Sequence, residues 1–124
     1  MEVSWQVSDG IARFDARGEC SLVKAVDAIR TAVAWCREQG IDRLLFDGRG
    51  FVGVPIPTLV DRFLMVEEWA ETARGMVRVV LVVRPEYIHP EKFGVKVAAD
   101  FGLTADVYSS ETAAAAWLTR QGEA

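Results

Sequence analysis

The sequence predicts an α/β fold: a mixed sheet of four or five strands that opens with a β-hairpin and continues in βαβαβα order, with the helices packed on the sheet. Three observations predict it. Two alternating apolar runs flank an Asp-Gly pair near the start, apolar residues then recur at helical spacing, and short apolar runs follow in alternation with further helical segments. Because strand and helix alternate, the later strands are expected to lie parallel, joined by right-handed crossovers.

The first two strands are predicted on either side of Asp9-Gly10. Val3, Trp5 and Val7 alternate with polar residues before this pair, and the alternation resumes from Ile11 to Ala16 after it. Asp-Gly is a strong hairpin signal because a type I′ turn needs positive φ at both central positions. The chain is therefore expected to open with two antiparallel strands.

A first helix is predicted from Ser21, its N-cap, to Gly40, which ends it in the left-handed conformation. The short apolar run Arg43 to Asp47 then predicts a buried strand, and the glycine-rich segment 48–53 predicts a loop after it. The apolar positions of the helix are three or four residues apart, as the helical period requires: Leu22, Val26, Ile29, Val33 and Cys36.

A second helix is predicted to start at Thr58, with Asp61 in the place of the usual Glu of a capping box. Pro55 and Pro57 hold the preceding segment extended, and Arg74-Gly75 ends the helix. Its predicted apolar stripe consists of Leu59, Phe63, Val66 and Ala70.

Segment 77–83 is β-branched and almost wholly apolar, which predicts a central strand covered on both faces. A loop, Arg84 to His89, follows it. Pro90 fits the first turn of a third helix, which Gly102 ends. The apolar positions of this helix are Phe93, Val97 and Phe101.

The last predicted elements are a short strand, Ala105 to Tyr108, and a helix capped by Ser109 or Ser110. The tail from Gln121 to Ala124 is expected to fray. The apolar positions of the last helix are Ala113, Ala114, Trp117 and Leu118.

Composition limits the classes of protein to which the chain can belong. Its 124 residues fit one domain, 1–124, and 14 basic against 18 acidic side chains give a net charge of −4. Because neither half of the chain is basic, nucleic-acid binding is not expected. No apolar run approaches the roughly 20 residues that cross a bilayer, so no membrane span is expected.

The cysteine and histidine content bears on compartment and cofactors. The two cysteines, Cys20 and Cys36, predict no disulfide framework, and the acidic, alternating start predicts no secretory signal. A reducing cytoplasm is the expected compartment. His89 is the one histidine, and no cluster of Cys or His accompanies it. We expect neither a metal nor an organic cofactor.

Two segments carry a family resemblance. Segment 43–51 reads Arg-Leu-Leu-Phe-Asp-Gly-Arg-Gly-Phe, and segment 107–118 reads Val-Tyr-Ser-Ser-Glu-Thr-Ala-Ala-Ala-Ala-Trp-Leu. The first resembles the strand that ends in Asp before the central loop of the STAS superfamily, and the second resembles the last strand and Ala/Trp-Leu helix of its small stand-alone SpoIIAA-like members. The resemblance spans essentially the whole chain, and it implies a small α/β sandwich without known catalysis.

The resemblance also implies a phospho-switch, with one departure from the family pattern. Anti-sigma-factor antagonists of the superfamily carry a phosphorylatable Ser or Thr next to the Asp, at the start of the following helix, where a kinase partner reads it. Here Asp47 is followed by Gly48 and Arg49, so that hydroxyl is absent. Thr58, at the predicted helix start, is the nearest candidate for phosphorylation, and its other interpretation is a helix cap.

The candidate binding residues lie in two loops at strand ends, 47–57 and 84–90, each of which precedes a helix. In open α/β sheets ligands bind outside the carboxyl ends of the strands, where helix N-termini favour anions. The loops are also rich in apolar side chains, which favours a partner or a lipid-like ligand. The alternative is that Arg49 and Arg84 pair with Asp47 and Glu86 at the surface. The candidates are Asp47, Arg49, Phe51, Arg84, Tyr87 and His89.

The expected function is a non-enzymatic regulatory or binding domain that recognises a protein partner or a small apolar or anionic ligand at these strand-end loops. A homodimer formed through an exposed helix or sheet edge is a further expectation. Two alternatives stay open. One is a small hydrolase or transferase that uses His89 with a carboxylate, and the other is a phospho-switched, anti-sigma-factor-antagonist-like protein that acts through Thr58.

Overall fold

The computed structural model of the chain describes residues 1–121, which form five strands and four helices in the predicted order. A 3₁₀ turn, Pro85–Tyr87, precedes the third helix. The strands are β1 (Glu2–Ser8), β2 (Ile11–Glu19), β3 (Arg43–Val52), β4 (Arg78–Val82) and β5 (Ala105–Tyr108), and the helices are α1 (Leu22–Gln39), α2 (Leu59–Ala73), α3 (Phe93–Asp100) and α4 (Glu111–Gln121).

The five strands form one mixed sheet in the spatial order β1-β2-β3-β4-β5. β1 and β2 are antiparallel, and each later strand is parallel to its neighbour. The predicted fold class is confirmed. The prediction that segment 77–83 forms the central strand is wrong, because β3 is central. The β1–β2 hairpin lies on one side of β3, whereas β4 and β5 lie on its other side. β4 is nevertheless covered on both faces, as its composition predicts: Val79, Val80 and Val82 are buried.

The opening hairpin turns at the predicted pair. Asp9 and Gly10 have φ of 54° and 76°, and Ser8 lies directly opposite Ile11. Two successive positive φ values are those of a type I′ turn. The turn leaves β1 as an edge strand on which Trp5 is 58% exposed. The homodimer stays a prediction, for which β1 supplies a free sheet edge.

The helices cover the two faces of the sheet unequally. α1, α2 and α3 pack on one face around a large core that includes Phe14, Phe46 and Trp69. α4 packs alone on the other face, where Ala114 and Leu118 contact a smaller cluster from β3 and β4. The first face therefore holds most of the apolar core.

The buried stripe of α2 differs from the predicted one. Leu59 and Phe63, which were expected to face the core, are 52% and 41% exposed. The prediction is wrong for these two residues, because α2 is apolar on two sides in its first turns and hydrophobicity alone does not show which side packs. It is confirmed for Val66, which is buried. Phe63 instead packs edge-on against Phe101, with ring centroids 5.4 Å apart. The residues that α2 buries are Arg62, Val66, Trp69 and Ala73.

The glycine-rich segment expected to be a loop is largely strand. β3 continues through it to Val52, pairs with β2 beyond a register shift, and places Gly50 opposite Arg17. A Cβ on Gly50 would lie 2.6 Å from the Arg17 Cβ and 2.8 Å from the Ala16 carbonyl oxygen. Glycine therefore occurs here because two backbones approach closely, not because the chain turns.

The third helix differs from prediction at its start and at Phe101, which is expected on its apolar side but follows its last residue, Asp100, and is 41% exposed. The fourth helix starts as predicted. Pro90 lies in a turn before α3 instead of in its first turn, because the helix begins at Phe93 after Lys92 with a φ of 51°. Ser110 is the residue that caps α4, since its Oγ accepts from the Ala113 N–H at 3.3 Å. Residues 122–124, within the tail expected to fray, lie outside the described residues.

Replacing Gly50 by Ala is expected to destabilise the fold by roughly 1–3 kcal/mol, because the added methyl overlaps the backbone of β2. Gly94→Ala is the matched control. Its methyl meets Val66 at an ordinary 3.7 Å and lies in α3, so this change should be neutral or stabilising by up to about 1 kcal/mol. Urea unfolding of both variants measures the difference, and equal stabilities would contradict the close approach.

Candidate functional site

The segments that follow β3 and β4 meet at the carboxyl end of the sheet. Nη2 of Arg84 donates to the Phe51 carbonyl at 3.2 Å and to the Tyr87 hydroxyl at 3.3 Å. The Tyr87 hydroxyl in turn donates to the Val54 carbonyl. The structure thus brings together three of the candidate residues: Phe51, Arg84 and Tyr87. Their hydrogen bonds link the end of β3 and the β3–α2 connection to the β4–α3 connection.

His89 lines the same end of the sheet but has no catalytic surroundings. Its Nδ1 accepts from the Glu91 backbone N–H at 3.1 Å, and its ring lies 6.0 Å from that of Phe93. Within residues 1–121 no carboxylate or nucleophile is hydrogen-bonded to it. The hydrolase or transferase alternative is not favoured, because a general base needs such partners within reach.

Asp47 and Arg49 lie on the opposite face of the sheet from the group formed by Phe51, Arg84 and Tyr87. Side chains alternate along a strand, so Phe46 faces the core beneath α1–α3 while Leu45 and Asp47 face α4. Asp47 accepts from Nη2 of Arg49 at 2.7 Å, and Arg13 lies 3.4 Å away. The six candidates therefore do not form one site. A charged cluster of Arg13, Asp15, Asp47, Arg49 and Glu111 stands on the α4 side.

Ion pairs and charge-assisted hydrogen bonds stabilise this charged cluster and shift the pKa of Asp47. Burial alone would raise the pKa of Asp47, but hydrogen bonds from the side chain and backbone of Arg49, with the positive charges of Arg49 and Arg13, outweigh it and lower the pKa. Arg49 also lies 3.4 Å from Glu111 at the start of α4. Both arginines of the charged cluster, Arg13 and Arg49, already have acidic partners. The pairing of Arg49 with Asp47 is thus present, as is an Arg84–Glu86 contact of 3.2 Å.

A cavity of about 140 Å³, partly open to solvent, lies on the other face, between the sheet and α1–α3. Phe51, Tyr87 and His89 line one end of it, and most of its other walls are apolar. One wall residue, Arg62, is only 9% exposed. Its Nη1 donates to the Tyr87 carbonyl at 3.1 Å.

Sequence reasoning missed Arg62 as a candidate. The signal that was available is its spacing: Arg62, Val66, Trp69 and Ala73 are four, three and four residues apart and share one side of a helix. An arginine on the side that also carries the tryptophan of α2 is thereby placed toward the core.

The outward side of α2 is a second feature that the sequence did not single out. Its first two turns present apolar side chains to solvent, with Val60 and Leu64 68% and 54% exposed. Monomeric soluble proteins seldom expose such contiguous groups without a function. We define the α2 face as Ile56, Leu59, Val60, Phe63 and Leu64 together with Phe101.

Thr58 stands at the edge of the α2 face. Its hydroxyl accepts from the Asp61 N–H at 3.1 Å, and the Asp61 carboxylate accepts from the Thr58 N–H at 2.9 Å. These two hydrogen bonds form the capping box expected at this position. The side chain is exposed, and its modification stays a prediction.

Other features are absent from the part of the chain that the structure describes. None of the helices in residues 1–121 is both long and apolar enough to cross a membrane. Within the same residues, no three His, Cys, Asp or Glu side chains group so as to hold a metal ion.

Comparison with known proteins places the fold. No protein-family model matches the sequence, and no curated protein matches it either. Among solved structures, an anti-sigma factor antagonist from Mycobacterium paratuberculosis is similar with a TM-score of 0.57, at 14% identity over 95% of each chain. The anti-sigma factor antagonist SpoIIAA, in its unphosphorylated form, is similar with a TM-score of 0.52, at 14% identity over 98% of this chain and 99% of that one.

The chain has the fold of the anti-sigma factor antagonists. The resemblance to SpoIIAA-like proteins that segments 43–51 and 107–118 indicate is confirmed at the level of the fold. The likeness extends over nearly the whole chain and includes the mixed five-stranded sheet with four helices.

Asp47→Asn is expected to lower the free energy of unfolding by about 1–3 kcal/mol at neutral pH, because Arg13 and Arg49 lose a charged acceptor. The pKa of Asp47 is lowered by folding, so its stabilisation is present above the ordinary value of 3.8 and disappears as the pH falls below it. The variant should therefore lose less stability than the wild type on acidification. Unfolding curves across this range measure it. Asp27→Asn, in an exposed pair with Arg30, is the control, and parallel curves for Asp47→Asn and the wild type would be inconsistent with the ion pair.

Thr58→Ala is expected to cost about 1 kcal/mol of stability, because the capping hydrogen bond to the Asp61 N–H is lost. Thr58→Ser keeps the hydroxyl and should retain most of the stability. Thermal and urea unfolding of the two variants tests the capping role, and an unchanged stability for Thr58→Ala would exclude it.

Proposed function

We propose that the chain is a non-enzymatic regulatory domain that binds a protein partner through the α2 face. The observation that carries the proposal is the exposure of contiguous apolar side chains on the first two turns of α2, while the opposite side of the helix is packed on the core. Burying such side chains against a partner removes them from water, which is the main driving force for protein association.

The charge of α2 specifies the partner further. Past Leu64 the outward side of the helix changes from apolar to acidic, with Glu67, Glu68 and Glu71 over the next two turns. Within residues 1–121 neither Glu67 nor Glu71 forms an ion pair, and Glu68 has only a contact of 3.5 Å with Arg30. A partner that fits this surface presents an apolar groove with lysine or arginine at one end, because opposite charges at the rim steer and orient association.

The fold supports a protein as the partner. The two similar structures are named as antagonists of anti-sigma factors, so those proteins act on another protein. Transfer of this class of partner to the present chain is part of the proposal. It agrees with an exposed apolar helix face more readily than with a catalytic centre.

The strand-end residues take a positioning role in this proposal. Arg84 and Tyr87 hold the carbonyls of Phe51 and Val54, which lie just before α2, and Arg62 of α2 donates to the Tyr87 carbonyl. These contacts fix where the helix starts and which side it turns outward. We assign direct contact with the partner to the α2 face and its support to Phe51, Arg84 and Tyr87.

The test is a paired substitution on this face. Val60→Glu with Leu64→Glu places two charges where the partner needs apolar contact, so binding should weaken at least about tenfold. Val23→Glu on α1, at a position 77% exposed, is the control because it also replaces an exposed valine by a negative charge but lies outside the α2 face. Proteins are captured from the source organism with the wild type, the control and the double variant. Those that bind the wild type and the control but not the double variant are purified, and their affinities are measured by calorimetric titration.

Circular dichroism and thermal unfolding first show that the variants are folded, which is expected because the changed side chains are exposed. Glu67→Lys with Glu71→Lys should also weaken binding and reduce its dependence on salt. Full affinity of the Val60→Glu/Leu64→Glu variant for every protein that the wild type binds would refute the proposal.

A further inference from the structure

The cavity beneath α1–α3 is separate from the α2 face, and what it binds does not depend on that face. It has a volume of about 140 Å³, lies between three helices and the sheet, and is partly open to solvent. Val26 and Ile29 of α1, Met65 and Val66 of α2, Leu81 of β4 and Val95 of α3 are among its apolar walls. An apolar group that fits these walls would leave water and gain dispersion contacts with them, so the cavity favours such a group.

The volume of the cavity indicates the size of the apolar part of the ligand. A protein cavity of about 150 Å³ with aliphatic and aromatic walls stays dry and accommodates benzene. The present cavity is close to that volume. A group that fills this volume is therefore a single aromatic ring or a short branched chain.

Arg62 supplies a second and independent observation. The side chain lines the cavity, is only 9% exposed, and within residues 1–121 forms no ion pair with any carboxylate. Its one hydrogen bond goes from Nη1 to the Tyr87 carbonyl, which leaves further N–H donors of the guanidinium without an acceptor in the described part of the chain. Burial lowers the pKa of Arg62, as expected of a guanidinium without an anionic neighbour.

The other charged groups at the cavity are already matched. Nζ of Lys92 lies 2.6 Å from the Asp106 carboxylate, which also accepts from the Tyr108 hydroxyl at 2.9 Å. His89 accepts from the Glu91 N–H. Arg62 is the wall cation whose charge has no partner among the described residues, and its remaining N–H donors are available to an anion that enters the cavity.

We propose that this cavity binds a small monocarboxylate, whose apolar body of about the size of benzene fills the space while its carboxylate pairs with Arg62. Guanidinium and carboxylate groups match each other in shape and form two parallel hydrogen bonds. A ligand with both parts supplies the missing packing and the missing charge at once. The chemical class is that of benzoate and of short branched carboxylic acids.

Four defined probes separate the two parts of the ligand by calorimetric titration of the unaltered protein. Benzoate carries the ring and the charge, benzamide the ring with a neutral head, toluene the ring alone, and acetate the charge alone. Benzoate should bind at least about tenfold more tightly than each of the other three. Because no substitution is involved, this comparison holds even where a variant fails to fold.

Variants and a spectroscopic reporter locate the binding. Arg62→Met should reduce the preference for benzoate over benzamide to within about threefold, while Arg74→Met, which removes an exposed arginine at the end of α2, should leave the preference unchanged. The indole N–H resonance of Trp69, which lines the cavity, should shift on addition of benzoate. That of Trp117, on the α4 side of the sheet, should not shift.

Several results would overturn the assignment: no binding of benzoate at millimolar concentration, equal binding of benzoate and benzamide, acetate or toluene as tight as benzoate, or shifts confined to residues away from the cavity. The capture experiment with the α2 face uses other variants and no small molecule. Failure of either inference is therefore visible separately.

Discussion

Trp69 fixes the rotation of α2 on the rest of the molecule, and both proposed surfaces depend on that rotation. Its indole N–H donates to the Val26 carbonyl of α1 at 3.1 Å, and the side chain is 5% exposed. About two turns toward the N-terminus, Arg62 donates to the Tyr87 carbonyl at 3.1 Å. Together the two hydrogen bonds hold one side of the helix inward. The same rotation turns Val60 and Leu64 toward solvent and Arg62 toward the cavity.

The outward and inward sides of α2 therefore present different kinds of side chain. The outward side offers apolar contact followed by acidic charge, which suits a protein partner. The inward side closes an apolar cavity with one unpaired cation. The charged cluster around Asp47 lies on the far side of the sheet, where it joins β2 and β3 to the start of α4. Its role in this account is to stabilise that junction, because its cations and carboxylates already satisfy one another.

Local signals in the sequence predict much of this fold, and signals that depend on distant segments do not. The Asp9-Gly10 turn and the Thr58–Asp61 capping box are each decided within a few residues, and both occur as predicted. The strand over Gly48–Gly50 was missed because glycines commonly mark loops, whereas here the small size of Gly50 lets β2 approach. Its partner, Arg17, is thirty-three residues away from Gly50 in the chain, so no short-range pattern shows it. Asp47 and Phe51 are four residues apart in β3 yet lie on opposite faces, because the register shift between Asp47 and Gly50 inserts one extra residue and reverses the alternation.

Thiol labelling of variants with one introduced cysteine measures the rotation of α2 most directly. Leu64→Cys and Val66→Cys are made with Cys20→Ser, while Cys36 is retained because burial raises the pKa of its thiol to about 12 and keeps it unreactive. The account predicts that a cysteine at position 64 reacts nearly as fast as in the unfolded chain and that one at position 66 is protected until the protein unfolds. A protected position 64 with a reactive position 66 would contradict it.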